Sequence, residues 1–186
     1  MSDRREAYYD ECIRESGPHY ADFDLLSSQI AVGIVHTYDV LHQVISRYLA
    51  DFGLSRSSFN ILMLLRHGPP EGMQLHDLGE LLLVSRANIT GLIDHLEGKG
   101  YVKRIIASSD RRARYAQITK KAESLLDELV PLHFWNLRKL LEDLTTTEKE
   151  TLLNLLRKTG ASLAAHSGDC AKRTPGAYAA DGNSEE

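Results

Sequence analysis

The apolar positions divide the chain into helical stretches, interrupted once by a short run of strand character. Over 23–52, Leu26, Ile30, Ile34, Leu41, Ile45 and Leu49 recur four or seven residues apart. That spacing lines side chains along one face of an α-helix and predicts a long amphipathic helix ending near Gly53. Ser55 or Ser57 is placed to cap the next helix, which carries Phe59, Leu62, Met63 and Leu65. His67-Gly68-Pro69-Pro70 ends it, glycine offering a left-handed cap and proline lacking the N–H to continue. A short helix over 75–82, a sharp turn at Val84-Ser85 and a longer helix up to Gly98-Lys99-Gly100 follow.

The period then changes. Residues 101–106 and 114–118 are β-prone runs joined by a polar stretch over 107–113, which reads as a hairpin. A helix over 120–144 carries Leu125, Leu129, Leu132 and Leu140 and is expected to bend near Pro131. The last helix is expected to start at Thr147, with Glu150 completing a capping box, and Leu152, Leu153, Leu155, Leu156 and Leu163 give it a wide apolar face. Residues 3–16 read as a helix with a thin apolar face. The small, polar stretch 167–186 reads as a flexible tail. The expected fold class is mainly α with a small β-hairpin wing, a winged helix-turn-helix lobe over about 54–120 flanked by long helices.

Composition narrows the function by exclusion. The two cysteines, Cys12 and Cys170, stand far apart and form no CxxC, so reduced thiols in a cytoplasmic protein are expected. The sequence shows no HExxH, no GxGxxG, no GxxxxGK[ST] and no GxSxG. No metal, no cofactor and no catalytic constellation is therefore expected, and the chain does not read as an enzyme. No apolar run approaches the ~20 residues of a membrane span, and the charged start lacks the apolar stretch of a secretory leader.

Charge is distributed rather than uniform. Over 85–120, eight basic residues face three acidic ones, a surplus of five. The whole chain carries −4, so the remainder stands at −9. A basic island in an acidic chain points to a placed nucleic-acid contact rather than bulk attraction.

Within that island, Ile89, Leu92, Ile93 and Leu96 are spaced to pack inward, leaving Arg86, Asn88, Thr90, Gly91, Asp94 and His95 outward. Ser85 is placed to cap this helix. A helix of this kind fits the major groove, where arginine pairs with guanine, asparagine with adenine and the threonine methyl with thymine. Read alone, it is equally a solvated helix with a capped start. The hairpin changes the balance: Asp110, Arg111 and Arg112 fall at its tip, Arg114 on the return strand, and Lys103 and Arg104 on the outgoing one. Arginine is the residue usually inserted into a narrow, negative minor groove.

At these residues the chain resembles the MarR family of bacterial regulators over about 23–163. The specific stretches are LHDLGELLLVSRANITGLIDHLEGKGYVKR (75–104), SSDRRARYAQIT (108–119) and LTTTEKETLLNLL (144–156). The family's wing carries an Asp-x-Arg, which falls on Asp110 and Arg112. The resemblance implies a domain over 23–166, with an extension before it and a tail after it. It also implies a homodimer built by helices at about 23–52 and 120–166, and double-stranded, pseudo-palindromic DNA as partner. DNA contacts are expected from Ser85, Arg86, Asn88, Thr90, Arg104, Asp110, Arg111, Arg112 and Arg114.

The signal is less legible. Family members often respond to a small aromatic or carboxylate molecule, for which His36, Tyr38, His42 and Trp135 are candidates, with His133 and Phe134 beside them. Aromatic residues at helical spacing usually pack, so core or dimer packing is the reading of first choice for the rings. A redox response through Cys12 is an alternative, against which its acidic neighbours Asp10, Glu11 and Glu15 disfavour a thiolate. Two further readings compete with a sequence-specific repressor: a non-specific architectural DNA binder, and a winged helix used only for protein contact.

Overall fold

The computed structural model describes residues 4–106 and 114–170. In chain order it contains α1 (Arg4–Ser16), a 3-10 turn (Gly17–His19), α2 (Leu25–Asp51), α3 (Arg56–His67), β1 (Met73–Gln74), α4 (Leu75–Leu81), α5 (Arg86–Gly98), β2 (Val102–Ile106), β3 (Arg114–Ile118), α6 (Lys120–Leu140) and α7 (Thr146–Cys170). The chain divides into two compact units, one of residues 34–136 and one of residues 1–33 with 137–186.

The 34–136 unit holds the core. Leu49 from α2, Ile61, Leu62 and Leu65 from α3, Leu78 from α4, Ile89, Ile93 and Leu96 from α5, Val102 and Ala116 from the sheet, and Leu126 and Leu129 from α6 are all buried. α3 and α5 meet the core along the stripes their periodicity predicts, whereas of the α2 stripe only Leu49 is buried, and α6 buries Ala122, Leu126 and Leu129 while Leu132 and Leu140 are exposed. Ser58 is buried in the same core, and its hydroxyl accepts from Ser55 Oγ at 3.0 Å. Ser55 is thus the cap of α3, also accepting the Ser58 backbone N–H at 3.1 Å.

The sheet has three antiparallel strands in the order β1-β3-β2. Val102 pairs with Ile118 and Ile106 with Arg114, while Met73 pairs with Ala116 and Gln74 with Tyr115. β1 is absent from the sequence reading because two residues carry no period. Gly72 makes it feasible: at φ +96° a Cβ would collide with the Ala116 carbonyl.

Two helix ends differ from expectation. Gly68 after α3 has φ −82° and is not a left-handed cap. Its requirement is space, since a Cβ there would stand 2.9 Å from Leu64 O and 2.9 Å from Met73 Sδ. α6 runs through Pro131 without a break and stops at Leu140, four residues before the expected end.

In the other unit α1 buries no side chain and is tied to α2 through Asp10, which accepts from Arg14 Nε at 2.8 Å and from Gln29 Nε2. These bonds hold the Asp10 carboxyl below its usual range, Arg14 contributing most. Asp24 starts α2 by accepting the Ser27 N–H at 2.7 Å. The cap of α7 lies two residues earlier than expected, at Thr145 in place of Thr147. Thr145 and Glu148 form its capping box, with Thr145 N–H donating to Glu148 Oε2 at 2.8 Å and Glu148 N–H to Thr145 Oγ1 at 3.3 Å. It continues to Cys170, so residues expected in the tail from 167 belong to a helix. Its Leu152, Leu153, Leu155, Leu156 and Leu163 are exposed. No helix among the described residues is long and apolar enough to cross a membrane.

Candidate nucleic-acid interface

The interface is built on α5. Its N-cap, Ser85, accepts the Asn88 backbone N–H at 3.3 Å. The chain reaches Ser85 from α4 through a turn in which Leu83 adopts φ +53° and Val84 N–H donates to Gly79 O at 3.0 Å. Leu83 is 93% exposed, so the left-handed backbone turns its side chain into solvent. α5 ends where Gly100, at φ +73°, lets the chain reverse into β2, its N–H donating to Glu97 O at 2.8 Å.

Burial divides α5 as the sequence predicts. Ile89, Ile93 and Leu96 are buried and Leu92 packs beside them, whereas Arg86, Asn88, Thr90, Gly91, Asp94 and His95 are exposed. The Thr90 hydroxyl donates to Arg86 O at 2.9 Å, which spends its proton within the helix and leaves its methyl group outward. Four of the expected contacts, Ser85, Arg86, Asn88 and Thr90, are therefore exposed at the cap and in the first turn and a half of α5.

Arg104, also among the expected DNA contacts, pairs with carboxylates of α5. Its guanidinium pairs with Asp94, lies 3.0 Å from Glu97 Oε2 and 3.4 Å from Thr90 O, and its side chain is only 23% exposed. Its backbone N–H donates to Glu97 Oε1 at 3.2 Å. Arg104 thus bolts β2 to α5 and neutralises two carboxylates on the helix that carries the candidate base readers. Lys99 is likewise spent internally, donating to Gly53 O at 2.6 Å. Arg86, Lys103, Arg114 and Lys120 of the basic island are exposed. Asp110, Arg111 and Arg112 lie outside the described residues.

The candidates for effector binding separate into two groups, both within the 34–136 unit. Tyr38 stacks on His42 with ring centroids 5.7 Å apart, and Arg56 donates to the Tyr38 hydroxyl at 2.9 Å. His133 packs against Phe59 at 4.8 Å and shares a 2.6 Å hydrogen bond with the Tyr48 hydroxyl. Burial lowers the His133 pKa and raises that of Tyr48. His36 is half-buried on α2, and Trp135 is half exposed and joins neither ring group among the described residues. Arg56 and Tyr48 escaped the sequence reading because their partners are 18 and 85 residues away. Cys12 is half-buried on α1, close enough to the Tyr8 hydroxyl to raise its pKa.

Comparison with known proteins agrees with this geometry. A profile of the MarR family matches residues 54–113. The transcriptional repressor YetL of Bacillus subtilis is 28% identical over 77% of this chain and 86% of its own length. An uncharacterized regulator of the same organism, YkoM, is 32% identical over 59% of this chain and 70% of its own length. Among solved structures, the MarR family regulator Sco3205 from Streptomyces coelicolor, in complex with DNA, superposes with a TM-score of 0.67 at 22% identity, covering 72% of this chain and 86% of that one. With its winged helix-turn-helix and these relatives, the chain belongs to the MarR family of transcriptional regulators.

Proposed function

We propose that the chain is a cytoplasmic, sequence-specific transcriptional repressor that binds a pseudo-palindromic operator as a homodimer and is released by a small-molecule effector. One observation carries the DNA-binding part: a helix anchored by Ile89, Ile93 and Leu96 presents Arg86, Asn88 and Thr90 to solvent beside a basic hairpin. These side chains suit base edges, and the free N–H groups at the start of α5 suit a phosphate. Two such helices in a dimer meet half-sites roughly one helical turn, about 10 base pairs, apart. Tyr38, His42 and Arg56 supply an aromatic face with a guanidinium beside it, chemistry suited to an aromatic carboxylate.

Selection of bound fragments from the source genome tests the proposal, with enrichment of a two-fold symmetric motif as the expected result. A steep salt slope without enrichment would establish the architectural alternative instead. Two variants test how the contacts divide. Asn88→Ala relaxes preference at one position of each half-site by about 1–3 kcal/mol. Arg112→Ala weakens binding across all sequences and lowers the salt slope by about one. Equal behaviour of the two would sink that division.

A further inference from the structure

Backbone strain singles out one residue of the 34–136 unit. Five of the described residues have positive φ, and three of them are Gly53, Gly72 and Gly100. The fourth, Asp22, is of a type that tolerates the left-handed region. The fifth is Leu83, at φ +53°, where a bulky side chain is disfavoured. Nothing in the fold offsets that strain. The Leu83 side chain is 93% exposed, more than any other large apolar side chain among the described residues.

The conformation is nevertheless fixed. Leu82 N–H donates to Leu78 O at 3.1 Å, Leu83 N–H to Glu80 O at 3.1 Å and Val84 N–H to Gly79 O at 3.0 Å. The turn is therefore built before any partner arrives, and a strained group held in place in advance is characteristic of binding sites. Its position in the chain indicates the partner. Leu83 stands two residues before Ser85, so their Cα atoms are at most about 7 Å apart. Ser85, Arg86 and Asn88 are exposed at the start of α5 and suit phosphates and base edges. The apolar group that a major-groove edge offers to a leucine is the thymine 5-methyl. A protein partner fits less well, because it needs a contiguous apolar patch and the exposed residues that follow Leu83 are polar or small.

We infer that Leu83 is a specificity-determining residue whose side chain packs on one thymine methyl in each half-site, beside the bases read by Arg86 and Asn88. The inference rests on the DNA-binding reading proposed above. The test uses the full chain and the duplex selected from the source genome, with deoxyuridine replacing one thymine at a time, symmetrically in both half-sites. That replacement removes the methyl and keeps the base pair. At one position it should weaken binding about tenfold or more, corresponding to roughly fourfold per half-site for one buried methyl.

Leu83→Gly should weaken binding to the unmodified duplex by a similar factor and reduce the cost of that deoxyuridine to about twofold or less. Leu83→Asn should do the same, since asparagine also tolerates the left-handed region. Leu83→Met, which keeps an apolar side chain of similar volume, should retain the affinity and the methyl effect to within about threefold. The salt slope should stay unchanged in all three, because no phosphate contact is lost. Leu81→Ala is the control: Leu81 is 60% exposed but lies in the regular helix of α4, and its loss should leave the thymine effect intact. A loss in Leu83→Gly that is equal at every thymine assigns the residue to the turn alone and overturns the inference. So does a methyl effect that no Leu83 variant masks, or one that Leu81→Ala masks equally. A chain that selects no operator overturns the DNA-binding reading as well, whereas an enriched operator without a thymine coupled to Leu83 overturns this inference alone.

Discussion

Leu83 and Arg104 show how much the candidate DNA face owes to groups that fix its geometry. Leu83 holds a left-handed backbone that costs an L-residue about 1–2 kcal/mol, and its exposed side chain recovers nothing from the core. Leu83→Gly removes that cost and adds the smaller entropic one of glycine, so chemical denaturation should show a gain of about 0.5 kcal/mol. A loss would mean the turn relies on the leucine side chain. Arg104 acts through charge. Truncating it leaves Asp94 and Glu97 uncompensated on α5, where they repel phosphates and loosen the join to β2. Arg104→Ala should therefore weaken operator binding about tenfold without lowering the salt slope, because no phosphate contact is lost. Adding Asp94→Asn and Glu97→Gln should restore most of the affinity. A slope reduced by about one would instead identify Arg104 as a phosphate contact.

Among the elements, the cap of α7 separates two registers that the sequence leaves degenerate. Thr145-Thr146-Thr147-Glu148-Lys149-Glu150 holds two capping boxes, and only packing and the preceding turn choose the first. Thr145→Ala should cost about 1 kcal/mol in denaturant, and Thr147→Ala only a few tenths. The helices of the winged lobe were legible because each has a long apolar period and a stop signal. β1 was not, because two residues have no period and their pairing with β3 spans over forty residues. The same distance effect hid the internal role of Arg104: its type and charge suit DNA, and only the reversal at Gly100 brings it over Asp94 and Glu97. At the join of α2, α3 and α6, burial holds His133 below its ordinary 6.5, so the folded state prefers the neutral ring. Below that value the unfolded chain takes up the proton more readily. Stability from this site is complete above about pH 6.5 and declines as pH falls. Thermal unfolding from pH 7.5 down to 5 should show that decline, and His133→Gln should flatten it.

For the whole molecule, the informative surface is apolar. Leu26 and Ile30 on α2 and Leu152, Leu153, Leu155, Leu156 and Leu163 on α7 are all at least 42% exposed, within the unit of residues 1–33 and 137–186. A soluble monomer rarely leaves so many large apolar side chains in water, and helices exposed in this way are normally completed by a partner. The core of the 34–136 unit contains none of these residues, so the two roles are separable. Leu152→Glu with Leu156→Glu places charge in the middle of the α7 face. Sedimentation should then report a monomer where the parent chain is a dimer, and the dependence of the melting temperature on protein concentration should vanish. The winged lobe keeps its own core, so the single half-site remains readable. What disappears is the gain from joining two half-sites through one rigid body, and affinity for the full operator should fall by about 100-fold or more. If the variant stays dimeric, the α7 face is not the interface. If it becomes monomeric yet keeps full operator affinity, recognition does not depend on paired helices, and the two-fold operator is the part of the proposal that fails.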